Sequence, residues 1–206
     1  MNADSLFVKF LFDTAAEVAI LAVVVGWLCF AVIVVIGKKH QASGHAKQNI
    51  KSRLGFFLQI VACAICFAMP RIFFSPFLPM SKTSEELLAA LIVALAAASV
   101  WFCYAAARTL GKQWALDARV IEGHELIIEG PFAIVRNPIY LAMFGMTIAT
   151  YLAVSRWHAI VFALIFFAAG TAIRIRTEEK LLREIFGAQF EDYARHVPAF
   201  FPRFLH

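Results

Sequence analysis

"GPFAIVRNPIYLA", residues 130–142, interrupts a chain that is otherwise a succession of apolar runs. Gly130 and Pro131 break whatever precedes them. Pro138 suits the first turn of a following helix, where its missing N–H costs nothing. Arg136 and Asn137 then fall at the helix entrance, beside backbone N–H groups that suit a carboxylate or another anion. Tyr140 opens the helix with an amphipathic ring at interface depth. An arginine snorkelling to headgroups and a tyrosine in an aromatic belt fit the same positions, so the surrounding chain has to decide.

Outward from this stretch, composition excludes an ordinary soluble domain. Of the 206 residues, 62% are hydrophobic and 16% charged, against about 45–50% and about 25% in soluble proteins. Five apolar segments stand out: 15–36, 54–78, 86–107, 139–154 and 157–173. The last two are short for a span, which takes about 20 residues. Only "SRWH" (155–158) separates them, so the expectation is a tight helical hairpin that thins the bilayer or leans on the first three helices. The fold class is all-α, a polytopic membrane protein with about five transmembrane helices, the last two a short helical hairpin, plus a cytoplasmic helical tail. The first run follows Asp4, Asp13 and Glu17 and has neither a basic n-region nor a small-x-small cleavage site, so it is expected to be a mature helix.

Orientation follows from the basic residues. The first loop carries Lys38, Lys39, Lys47, Lys51 and Arg53 and no acid. The third loop carries Arg108, Lys112, Arg119 and Arg136, and the tail carries Arg174, Arg176, Lys180, Arg183, Arg195 and Arg203. The opposite side holds only Lys9, Arg71, Lys82 and Arg156 of the 19. The N-terminus is therefore expected outside, with the third loop and the tail together at the cytoplasmic face. The net charge of +5 reads as attraction to membrane lipids, because the basic residues do not alternate with exposed aromatics as a nucleic-acid surface would require.

Cys63 and Cys66 form a C-x-x-C, but inside "FFLQIVACAICFAM", where cysteines serve as small hydrophobes. Cys29 and Cys103 are embedded in the same way. No second ligand pair stands at metal-binding spacing, so no metal site is expected. His40 and His45 lie in a basic loop that suits solvated histidines, and "PAFFPRF" (198–204) reads as an amphipathic cap on the headgroups.

The tail "RIRTEEKLLREIFGAQFEDYARHVPAFFP", residues 174–202, places Glu178 and Glu179 within two turns of the fifth segment. Arg174 precedes Glu178 by four residues and Arg183 follows Glu179 by four, the spacing of helix-surface ion pairs. Depth argues for more, since acids this close to hydrocarbon need a polar cavity or a partner.

"HELIIEGPFAIVRNPIYL" followed by "RIRTEEKLLREIFGAQFEDYARHVP" resembles the isoprenylcysteine carboxyl methyltransferase family, with its phospholipid-methyltransferase relatives. Those proteins show a Gly-Pro-aromatic, Arg-His-Pro-x-Tyr block, a hydrophobic hairpin, then Arg-x-Arg-x-Glu-Glu and Phe-Gly-x-x-Tyr-x-x-Tyr. The likeness covers roughly the last hundred residues. It implies a membrane methyltransferase using S-adenosyl-L-methionine, with 1–206 as one integral membrane domain: 1–110 the three-helix membrane part and 111–206 the cofactor-binding catalytic part. By position, His124, Glu125, Leu126 and Ile127 would contact the cofactor, largely through the backbone. Phe132 would be the pocket aromatic, Arg136, Asn137, Pro138 and Tyr140 the cofactor-binding turn, and Glu178 the cofactor's acidic partner. Glu179 is carried with it among the cofactor-binding residues, though about 100° round the helix it is the better placed of the two acids to pair with Arg183 on the surface. Arg174 would lie on the substrate side.

Three departures bear on chemistry. Asn137 stands where the family has histidine; asparagine donates and accepts hydrogen bonds but does not titrate. Phe132 stands for a tyrosine. No Gly-x-Gly occurs in the chain, which argues against the amine headgroups of the phospholipid N-methyltransferases. The resemblance thus implies methyl transfer to a lipophilic small-molecule or lipid-modified acceptor, a carboxylate or thiol, at the cytoplasmic membrane face. An NADPH-dependent reductase of the sterol type shares the architecture but calls for further basic residues at the cofactor's phosphate. A non-catalytic membrane scaffold is the remaining alternative.

Reporter fusions test the orientation. A reporter inserted in the 37–53 loop is expected to be active only as a cytoplasmic fusion. Activity of a periplasmic or luminal reporter there overturns the topology.

Overall fold

The structure is a computed structural model that describes residues 14–40, 50–68, 81–111, 125–156 and 158–203. Its helices are α1 (Thr14–His40), α2 (Ile50–Ala68), α3 (Lys82–Leu110), α4 (Pro138–Val154), α5 (Ala159–Phe186) and α6 (Ala188–His196), with a 3-10 turn at Gly130–Ala133. Four are long and apolar enough to cross a membrane: α1, over Ala15–Gly37, α2, α3 and α5. α4 has 17 residues, or roughly 26 Å, a little under the hydrocarbon thickness of about 30 Å.

Two expectations change. The fifth segment is not short: hydropathy falls at Arg174, but the helix runs unbroken to Phe186, 28 residues in all and roughly 42 Å. Charged residues end contact with lipid without ending a helix, and Arg, Glu, Lys and Leu are all good helix formers. Nor do the last two segments form a tight hairpin. Residues 155–158 do connect them, but α4 packs mainly on α3 and α1 while α5 packs mainly on α2. The second segment, expected over 54–78, is helical over Ile50–Ala68, and its remainder lies outside the described residues.

Small residues explain the α2–α5 pairing. Without a hydrophobic drive between helices in lipid, close approach and polar cross-links hold them. Gly55 and Gly170 face each other so closely that a Cβ on Gly170 would lie 2.6 Å from the Gly55 carbonyl oxygen. Beside them Gln59 Nε2 donates to Thr171 Oγ1 at 3.0 Å. At the far end Ser155 Oγ donates to the Cys66 carbonyl at 2.7 Å, satisfying an acceptor in the last turn of α2.

The other group is built around Ala19, Val23, Ile92, Ala96, Met146 and Ala149, all buried where α1, α3 and α4 meet. Trp27 Nε1 donates to Thr150 Oγ1 at 3.0 Å, tying α1 to α4. α3 begins on Ser81, whose side chain accepts from the Ser84 N–H. At its other end, Thr109 lies against Gly130, where φ is +57° and a Cβ would approach the threonine Oγ1 to 3.0 Å. Glycine thus lets the 130–138 segment settle on the end of α3.

Gly170→Val is expected to wedge α2 from α5 and cost about 1–3 kcal/mol, the range for overpacking. Denaturant unfolding in detergent reads the loss; unchanged stability would show that the pair does not depend on this approach.

Candidate active site

α3 and α5 carry polar residues beyond their apolar portions, and the chain between and after them fills the space there. Glu125–Ile128 run in neither helix nor strand, the 3-10 turn follows, and α4 starts with Pro138 at its first position. α6 folds back after Gly187, and Tyr193 Oη donates to the Phe132 carbonyl at 2.6 Å. Between these pieces lies a shallow cleft, open at its mouth. Its polar wall is Glu125, Arg136, Asn137, Glu179 and Tyr193; its apolar wall is Leu110, Leu126, Ile127, Phe132, Leu182 and Phe190.

Arg136 organises the polar wall. Its Nε and Nη2 both lie 2.9 Å from Glu179 Oε1. Its Nη1 donates to the carbonyls of Ala194 at 3.0 Å and Val197 at 2.5 Å. Its backbone N–H donates to Pro198 O at 2.9 Å. Asn137 does not cap α4 with its side chain; its Nδ2 donates to Ala199 O at 2.9 Å and lies 3.5 Å from Glu179 Oε1. The arginine and asparagine side chains at the α4 entrance thus meet one of the chain's own carboxylates.

This corrects the surface placement of Glu179. The expected pair with Arg183 exists at 3.5 Å, yet Glu179 is only 7% exposed and turns its other oxygen to Arg136. Glu178 points elsewhere. Its Oε1 accepts from Tyr140 Oη at 2.5 Å and from Arg174 Nη2 at 3.2 Å, the expected i, i+4 pair. Arg174, 6% exposed, also donates from Nε to Tyr140 Oη at 2.7 Å. Its guanidinium lies 5.7 Å from the Phe56 ring centroid on α2. Two polar clusters therefore stand side by side, Arg136–Asn137–Glu179 in the cleft and Tyr140–Arg174–Glu178 next to it.

Of the residues singled out in the sequence, Glu125, Leu126, Ile127, Phe132, Arg136, Asn137 and Glu179 line the cleft. Tyr140, Arg174 and Glu178 form the neighbouring cluster, and Pro138 is buried between them in chain order at the start of α4. His124 lies outside the described residues. Sequence reasoning missed Leu110, Leu182, Phe190 and Tyr193 as lining residues. Phe190 and Tyr193 were signalled by their three-residue spacing on the amphipathic α6, and Leu182 by its position three after Glu179. Nothing local marks Leu110.

The phospholipid methyltransferase family model matches residues 87–189, from α3 to the start of α6. The chain belongs to this family. It is 38% identical over 101 residues to the cobalt-zinc-cadmium resistance protein CzcN of Cupriavidus metallidurans, covering 46% of this chain and 44% of that protein. The nickel-cobalt-cadmium resistance protein NccN of Alcaligenes xylosoxydans is 38% identical over 97 residues, 46% of this chain and 45% of that one. Protein-S-isoprenylcysteine O-methyltransferase B of Arabidopsis thaliana is 35% identical over 85 residues, 39% and 41% of the two chains. The matched region spans less than half the length of each of these relatives. Its apolar helices and its family mark the chain as an integral membrane protein.

Tyr193 gives the site a pH signature. Burial pushes its phenol up to about 12, with Arg136 pulling it down and Glu179 pushing it up. The unfolded chain releases this proton near pH 10, so the stabilisation is whole below pH 10 and lost as pH rises towards 12. Tyr193→Phe is expected to cost about 1 kcal/mol at neutral pH. Its deficit against the wild type should shrink above pH 10 in paired detergent unfolding curves; a deficit that grows with pH contradicts the assignment.

Proposed function

We propose that this chain is an S-adenosyl-L-methionine-dependent membrane methyltransferase. Its acceptor is lipophilic, bears a carboxylate or thiol, and meets the cofactor at the cytoplasmic face. One observation carries the reading: a cleft with a buried acid and an apolar wall adjoins a second, arginine-centred cluster at the membrane boundary.

The residues fit the cofactor's chemistry. Leu126, Ile127, Phe132, Leu182 and Phe190 offer apolar surface for a nucleobase. Glu179 and Glu125 offer acceptors for hydroxyls and an amine, and negative charge beside a sulfonium. When bound, the cofactor supplies a methyl group already activated as part of a cation.

The protein's task is then placement and exclusion of water. Arg136 and Asn137 fix the Glu179 carboxylate, and the fold of α6 over the 3-10 turn closes the cleft from one side. Arg174, held by Tyr140 and Glu178, presents positive charge to an anionic acceptor at the adjacent position. An ionised carboxylate or thiolate needs no general base, which accords with Asn137 in place of a histidine. The excess of basic residues in the loops and tail supports a cytoplasmic location for this end of the molecule.

The two clusters divide the work between the adjacent acids, with Glu179 on the cofactor and Glu178 on the arginine. Glu179→Gln is expected to weaken cofactor binding by roughly tenfold, about 1.4 kcal/mol. Glu178→Gln should leave affinity near wild type and lower transfer of labelled methyl into a lipid and small-thiol panel. Calorimetry on detergent-purified protein separates them. Affinity losses in the opposite order assign the cofactor to Glu178, and binding of NADPH alone overturns the methyltransferase reading.

A further inference from the structure

Between the end of α6 and Arg203 the chain does not trail into solvent. Val197 ends the helix, and the next residues are drawn across the entrance of α4: Arg136 takes the carbonyls of Val197 and Pro198, and Asn137 takes that of Ala199. Phe200 and Phe201 then meet edge-on at 4.8 Å between ring centroids, and each lies 5.8 Å from Phe144 on α4. Phe144 in turn lies 5.6 Å from Phe167 on α5. This happens where α4 and α5, joined in sequence, pack only lightly on one another. Four rings close a seam that the two helices leave thin.

The seam leads to the second polar cluster. Phe144 is one turn deeper along α4 than Tyr140, and Phe167 is two turns deeper along α5 than Arg174. An apolar chain lying along Phe144 and Phe167 would therefore present its polar end to Tyr140 and Arg174. Phe167 is fully buried, whereas Phe201 is 61% exposed, so the outermost ring is also the one held least. The segment lies beyond residue 189, where the family match ends.

We infer that Val197–Arg203 is a lid on a lateral opening between α4 and α5, and that a single apolar chain from the bilayer enters by displacing Phe200 and Phe201 from Phe144. On the methyltransferase reading, on which the identity of the guest rests, that chain is the acceptor's tail. The lid is fastened by Arg136 and Asn137, which also line the cofactor cleft, so opening the seam and reshaping the cleft draw on the same hydrogen bonds.

Photolabelling tests the lid without requiring methyl transfer. The full chain is placed in nanodiscs with a long-chain fatty acid bearing a diazirine in the carboxylate-proximal half of its chain, and cross-links at Phe144 and Phe167 are counted relative to lipid-facing Phe57. The double variant Phe200→Ala/Phe201→Ala is expected to raise that ratio several-fold, and Phe201→Trp, which keeps a ring in place, to leave it near wild type. Phe201→Ala alone, which removes a mostly exposed ring and so spares the fold, carries the same expectation at smaller amplitude. Equal ratios in all four proteins, or an equal rise in Phe201→Trp, overturn the lid. A rise without methyl transfer to any lipid supports the lid and counts against the acceptor reading alone.

Discussion

A guanidinium at the edge of hydrocarbon is stable only when its donors are met, because water is scarce and an unpaired charge is costly. Arg136 meets this demand by gathering what surrounds it. Glu179 comes from α5 and the carbonyls of Ala194 and Val197 from the end of α6, while the residue's backbone N–H takes Pro198 from the segment beyond. Elements that are distant in sequence converge on one side chain two residues before α4. Truncating one member of such a buried pair typically costs about 3–5 kcal/mol, enough to make this contact the keystone of the polar half.

The membrane half obeys a different rule. Its helices are surrounded by material as apolar as they are, so contact is selected by shape and by the few polar atoms that must find each other. Gly55 against Gly170 brings backbones together; Gln59 with Thr171 and Trp27 with Thr150 fix which residues lie level. That alignment reaches the site, because Arg174 lies one turn beyond Gly170 on the same face and packs on Phe56 of α2. The arginine's position is thus inherited from a glycine contact inside the bilayer.

The sequence spoke clearly where a local rule was sufficient. Lipid-compatible runs, the Gly-Pro and Asn-Pro breaks, and the four-residue ion pairs Arg174–Glu178 and Arg183–Glu179 all follow from composition or helix period, and all are present. It was silent where the outcome depends on a distant partner. Whether Glu178 or Glu179 turns inward is decided by where α4 and α6 lie around α5, and no spacing within α5 encodes that. The length of α5 was misread for a related reason: hydropathy reports the solvent of a residue, while helix continuity depends on the backbone and on formers such as Glu, Lys and Leu. Tyr193 and Phe190 belong to the cleft only because α6 folds back on the 3-10 turn, a contact made through a backbone carbonyl that has no sequence signature.

The unbroken course of α5 has a mechanical consequence. One rigid rod is both anchored in lipid by Ala159–Ile173 and the carrier of Glu178 and Glu179, so there is no hinge to decouple the height of these side chains from the thickness of the bilayer. A thicker membrane would draw Arg174 and its neighbours toward the headgroups or tilt the rod, at a cost of fractions of a kcal/mol for each ångström of mismatch. These charged side chains therefore ride at a depth set by the surrounding lipid, and the bilayer itself becomes one of the walls of the candidate site.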